Sequence, residues 1–224
     1  MNFKLNWYDV INKSKGRKFL DSLRYALYVI THPFDGFWDL THEKRGSMAA
    51  AHVLVFLYFM TNLWSMRYTN FMFNGVLWEK INIWMQIAGS IAPIVIYCVA
   101  NWCLTTLFDG KGRLSDVYMG TAYALTPYII LTNLGTILSN FVTVEEGAFI
   151  TIFDTFALIW CGFLILVSVM QIHDYSLGKA VFAFIASVAG MMIIVFLLLL
   201  FFSLISDGVA YFVSIYKEIM FRLY

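Results

Sequence analysis

Five long apolar runs limit what this chain can fold into. They lie at about residues 48–66, 81–108, 117–141, 148–171 and 179–204. Each holds roughly 20 largely apolar residues or more, enough at about 1.5 Å per residue to cross a hydrocarbon core about 30 Å thick. Composition agrees, since 61% of the 224 residues are hydrophobic and only 13% are charged. A soluble domain carries about 25% charged residues, so this chain cannot cover a globular surface with polar groups. The sequence therefore predicts an all-α integral membrane bundle of five transmembrane helices, with the first and shortest run the best suited of the five to be re-entrant.

The flanks read differently. Lys13, Lys15, Arg17 and Lys18 occupy the place of a signal-peptide cleavage region with no apolar core before them, so the first span is expected to act as its own insertion signal. Residues 1–16 are polar and expected to be loosely ordered. Over residues 17–30 a helical period sets Phe19, Leu23, Leu27 and Ile30 against Lys18, Asp21, Ser22 and Arg24, which predicts an amphipathic helix in the membrane interface, stopped by Pro33. The aromatic connector 32–45 is expected at headgroup level. After Asp207-Gly208, Ser214, Lys217, Glu218 and Arg222 form a polar stripe that predicts a second interfacial helix. The expected organisation is a cytoplasmic segment 1–45, a membrane domain 46–204 and an outer-face helix 205–224.

Lys and Arg set the orientation. With five spans, eleven fall on the N-terminal side and four on the other. This places the N-terminus and the 109–116 turn in the cytoplasm of a cell-membrane protein, and the C-terminus outside. Lys111 and Arg113 are then candidate cytoplasmic contacts. Thr143 and Glu146 match a capping box that starts the fourth span.

Polar and helix-breaking residues inside the spans are the candidate functional positions. Pro93 and Pro127 lie near the bilayer midplane and free the carbonyls of Gly89 and Tyr123. Those carbonyls need a neighbouring helix, a hydroxyl or water as partner. Asn101 and Thr105 share a face one turn apart. Asp154, about two turns into the fourth span, is the carboxylate within a span. His52, Asn62, Gln86, Asn133 and Gln171 are expected to bond across helices. Ala186 and Gly190 form a small-x-x-x-small pair suited to close contact, including oligomer formation. Cys98, Cys103 and Cys161 read as buried packing residues.

The spacings of His32, His42, Glu43, His173 and Asp174 match no metal-ligand pattern, so solvated or capping roles are expected. Hydrolase, zinc-protease and phosphate-loop signatures are missing from the sequence, as is a basic nucleic-acid footprint. No catalytic, metal or cofactor site is expected.

Three motifs carry a resemblance. His32-Pro33-Phe34-Asp35-Gly36-Phe37 precedes the first span, Tyr123-Ala-Leu-Thr-Pro127 sits in the third, and Tyr175-Ser-Leu-Gly178-Lys179 precedes the last. Together they resemble the Yip1-domain family over about residues 20–204, in a compact form similar to bacterial members. For that form the resemblance implies no defined activity; the amphipathic N-terminal helix and the basic cytoplasmic side point to a non-enzymatic, multi-pass scaffold or accessory that binds lipid or a membrane-protein partner. Eukaryotic relatives contact Rab-type GTPases and carry a longer N-terminal region with an Asp-Leu-Tyr-Gly-Pro motif. This chain has neither, so no GTPase partner carries over. The alternative expectation is a small transporter or channel with a midplane site near Pro93 and Pro127.

Overall fold

The structure is a computed structural model that describes residues 7–74 and 81–223, with side chains of the first helix described from Phe19 onward. The charges of Arg17, Lys18 and Lys80 lie outside those described side chains.

Eight α-helices make up the described chain: α1 (Trp7–Thr31), α2 (Pro33–Thr41), α3 (Met48–Tyr68), α4 (Ile83–Leu107), α5 (Leu114–Ala124), α6 (Thr126–Leu138), α7 (Ala148–His173) and α8 (Leu177–Leu223). A short 3-10 turn, Val144–Glu146, precedes α7. Four segments are long and apolar enough to cross a membrane: α3, α4, α8 to Arg222, and Val144–His173 with its 3-10 turn.

The expected third span is divided. α5 and α6 hold 11 and 13 residues, each shorter than the roughly 20 a crossing needs. They meet at Leu125, because Pro127 has no N–H to give the Tyr123 carbonyl. That carbonyl is satisfied instead by the Thr126 hydroxyl at 2.7 Å. The other proline acts differently, since α4 continues through Pro93.

Two ends of the bundle follow from the cross-helix bonds. At the basic end, Ser47 before α3 reaches Tyr123 of α5, and Gly112 before α5 reaches His173 at the close of α7. At the far end, Asn70 after α3 bonds Ser139 after α6, and Asn140 bonds the Tyr68 carbonyl. α3 and α5–α6 thus both run from the basic end to the far end, and α7 runs back to the basic end.

The flanks depart from expectation in three ways. α1 begins by Trp7, so residues 7–16 are helical rather than loosely ordered. Its period is as expected but its phase is rotated: Ser22 is buried with Ala26 and Val29, while Leu27 is exposed. The cause is Tyr123, which draws the Ser22 side inward. The connector contains α2, begun by Pro33 at its first turn. Phe37 and Leu40 of α2 are buried in the core, whereas Phe34 and Trp38 stay outside.

The third departure is α8, 47 residues without a break. At about 1.5 Å per residue it is about twice as long as a bilayer core is thick. The expected stop at Asp207-Gly208 does not occur: a helix-interior glycine costs only about 1 kcal/mol, and no proline follows it. Residues 205–223 therefore extend the last long helix.

Candidate functional site

The 109–116 turn docks on the corner between α7 and α8 through one continuous chain of hydrogen bonds. The Gly112 N–H donates to His173 Nδ1 at 3.2 Å. With Nδ1 accepting, the proton sits on Nε2, which faces Asn101 Oδ1 at 3.3 Å. Asn101 Nδ2 then donates to Ser187 Oγ at 3.0 Å, and Ser187 donates to the Ala183 carbonyl at 2.7 Å. His173 is 2% exposed and Asn101 and Ser187 are fully buried. Buried polar groups are costly unless paired, and here donors and acceptors alternate from the turn into α8.

Glycine makes this approach possible. A β-carbon on Gly112 would overlap Ile172 and lie 2.7 Å from His173 Cε1. One on Gly110 would lie 2.8 Å from His173 Nδ1 and from the Tyr175 hydroxyl. Tyr175 completes the corner by donating to the carbonyls of Phe108 at 2.9 Å and Thr105 at 3.2 Å. Burial, reinforced by Asp109, pushes its phenol above the usual tyrosine range, so it remains a donor. Asp174 takes a left-handed conformation at φ 54°, which an aspartate tolerates at a helix end. Its carboxylate then meets Lys111 Nζ at 3.0 Å and His42 Nε2 at 3.8 Å. Arg113 is exposed, and its N–H is capped by Asp116 Oδ2 at 3.2 Å.

A second staple joins α1 to the bundle. Tyr123 is fully buried; its hydroxyl lies 2.7 Å from Ser22 Oγ and 3.1 Å from the Ser22 carbonyl, and accepts from Ser47 N–H at 3.4 Å. Beside it, Asp21, Ser22, Tyr25, Lys44, Arg45 and Ser47 line an open cavity of about 830 Å³.

At the far end, α3, α6 and α7 enclose a polar cavity of about 300 Å³ lined by residues including Ser65, Thr69, Thr132, Thr136, Thr151 and Asp154. On the 3-10 turn before α7, the Thr143 N–H donates to Glu146 Oε2 at 3.2 Å, closing the expected box.

The six intramembrane candidates thus fall in separate places. Asn101 and Thr105 belong to the basic-end corner. Tyr123 holds α1, and Pro127 is buried one turn beyond it. Asp154 is at the far end, and Pro93 is exposed on the outside of α4. Neither proline lines the Asp154 cavity.

Cross-helix bonds were expected for His52, Asn62 and Asn133, and they pair with Tyr118, with Ser90 and Tyr128, and with Thr61. Gly190 packs within the chain, where an added β-carbon would meet Leu104 of α4 at 2.9 Å. The close helix contact expected of Gly190 is thus made with α4 of the same chain. Cys103 is exposed rather than buried.

His173 corrects the expectation of a solvated or capping role. Ser187 and Thr132 were also missed, because single hydroxyls on apolar helices carry no spacing signal. The Yip1 motifs did mark the neighbourhood, with Tyr123 and Tyr175 both at staples.

Comparison with curated proteins and with solved structures gives no significant match. The Yip1 domain profile matches residues 27–209, which takes in α2 to α7, only the C-terminal end of α1 and the membrane-length part of α8. The chain is a multi-pass membrane protein that belongs to the Yip1 domain family.

Proposed function

We propose that the protein is a non-enzymatic five-span scaffold or accessory that holds lipid or a membrane-protein partner at its basic end. The observation that carries this reading is how the polar residues of that end are used. His173, Asn101, Ser187 and Tyr175 are all engaged in bonds that fix the 109–116 turn. A general base needs a free lone pair within reach of substrate, and the His173 imidazole has both nitrogens engaged. What the corner offers instead is a rigid surface carrying Lys111 and Arg113, next to the open cavity beside Lys44 and Arg45.

The fifth crossing in this reading is α5 with α6, which together run from the basic end to the far end. The excess of Lys and Arg on the N-terminal side supports a cytoplasmic basic end, as the positive-inside rule requires. With five crossings the C-terminus lies outside.

A photocrosslinking amino acid placed at residue 111 or 113 in cells tests the proposal. A reproducible lipid or protein adduct, identified by mass spectrometry, is the expected result. Loss of every adduct at both positions would overturn it. The polar cavity at Asp154 favours a second reading, a small transporter or channel. Flux in reconstituted vesicles that disappears in Asp154→Asn would establish that reading in place of the scaffold.

A further inference from the structure

We propose that the far-end cavity between α3, α6 and α7 binds a primary ammonium group, held by Asp154 and Thr132. The inference starts from an unused hydroxyl. Thr132 is 4% exposed, and its Oγ1 has no hydrogen-bond partner. Several buried threonines of the bundle bond the carbonyl four residues back, as Thr105, Thr121 and Thr136 do at 2.7–2.9 Å. Thr132 forgoes that bond and lines the cavity instead. A buried hydroxyl left unpaired costs roughly 1–3 kcal/mol, so its position points to something that completes it.

Asp154 lies across from it. The Thr132 hydroxyl faces the Asp154 carboxylate closely enough to favour its charge, although no hydrogen bond of good geometry joins the two. Asp154 is half-buried about two turns into α7, at a depth of about 10 Å from the helix start. Among the described residues no Lys, Arg or His forms an ion pair with it, and none lines the cavity. A carboxylate at such depth is stable when it faces a cation or water. The remaining polar lining is hydroxyl and amide, so the site is negative and built from oxygen acceptors that suit a hydrogen-bond-donating cation.

Size and ligand count select the kind of cation. The cavity of about 300 Å³ equals roughly ten water volumes at about 30 Å³ each, far more than a bare ion fills. Calcium takes about 6–8 oxygen ligands, commonly with several carboxylates, and one carboxylate is present here. A primary ammonium presents three N–H donors and one charge. Asp154 and Thr132 receive two of the donors, and the hydroxyls of Ser65, Thr69 or Thr136 are placed for the third. Met66, Phe73 and Ile150 supply apolar wall for a short carbon stem. Such a group could come from an ethanolamine-type lipid head or from a small soluble amine.

The test uses the full chain, purified and delipidated in detergent, with binding read by titration calorimetry. The probes are ethanolamine and a short-chain phosphatidylethanolamine, against the matching phosphatidylcholine, phosphatidylglycerol and sodium chloride. At least one primary amine is expected to bind saturably. Asp154→Asn should weaken that binding about tenfold or more, and Thr132→Val about threefold to tenfold. The choline lipid, which has no N–H, should bind about tenfold more weakly than the ethanolamine lipid. Binding of the free amine alone assigns the site to a soluble ligand; binding of the lipid, alone or with the free amine, assigns it to a headgroup. Both variants are nearly isosteric, and their unfolding temperatures, expected within about 2 °C of the wild type, show that the fold is retained. The proposal is overturned if neither amine binds, if both variants bind as the wild type does, or if the choline lipid or sodium binds as well as the amine.

Discussion

At the basic end, His173, Asn101 and Ser187 pass hydrogen bonds from the 109–116 turn into α8, whereas at the far end Thr132 leaves its hydroxyl unpaired beside Asp154. Both sets of groups lie on apolar helices, so composition does not distinguish them. Pairing does. A buried polar group whose partners are all within the chain is part of the fold. A buried polar group without one, lining a cavity, is available to a ligand. The same residue types thus serve architecture at one end and recognition at the other.

Breaking the closed end should have the largest effect. Asn101→Ala removes the central link, leaving His173 Nε2 and Ser187 Oγ buried without their partner. A loss of about 2–4 kcal/mol is expected, read as a lowered unfolding temperature in detergent.

Gly112→Ala should follow, at about 1–3 kcal/mol, because the new methyl meets Ile172 and His173. Its distinguishing readout is faster hydrogen exchange confined to residues 109–116, with the far end unchanged.

Tyr123→Phe should cost about 1–2 kcal/mol. It deprives Ser22 and the Ser47 N–H of a partner, so α1 should become the first segment cut in limited proteolysis. Equal protection of α1 in wild type and variant would remove Tyr123 as the staple.

Thr132→Val gives the smallest effect, within about 1 kcal/mol of the wild type in the absence of amine. The substitution deletes a hydroxyl that makes no hydrogen bond of good geometry within the chain. A strongly destabilised variant would mean that Thr132 is part of the fold, and the contrast between the ends would fail.

The corner also has a defined response to base. The Tyr175 phenol is raised by burial and by Asp109, and the bonded form is the protonated one. Its stabilising contribution is therefore full below the ordinary tyrosine value of about 10 and declines as pH rises above it through the higher folded value. Exchange at residues 105–112 should accelerate in that alkaline range in the wild type, and Tyr175→Phe should remove that dependence.

Much of this was legible in the residues. Apolar length marked the membrane helices, and Thr143 with Glu146 marked the start of the Val144–His173 segment. The missing N–H of Pro127 required a partner for the Tyr123 carbonyl, and a hydroxyl, Thr126, supplies it. Phase and pairing were less accessible. The period of α1 was visible, yet which side turned inward depended on Tyr123, about a hundred residues away. The continuity of α8 through Gly208 was hidden because a glycine permits a stop without enforcing one. His173 looked like a loop residue beside Asp174, and only the return of the 109–116 turn buries it. Asp154 stood out by charge, while Thr132 was indistinguishable from the other threonines of α6 until its missing bond was seen.

Unfolding temperatures of wild type, Asn101→Ala and Asp154→Asn, each with and without ethanolamine-headed lipid or free ethanolamine, test the division between the two ends most directly. Asn101→Ala should unfold about 5 °C lower or more and keep the stabilisation that the amine gives the wild type. Asp154→Asn should unfold within about 2 °C of the wild type and lose that stabilisation. An unaltered temperature in Asn101→Ala, or an undiminished amine effect in Asp154→Asn, would contradict the account.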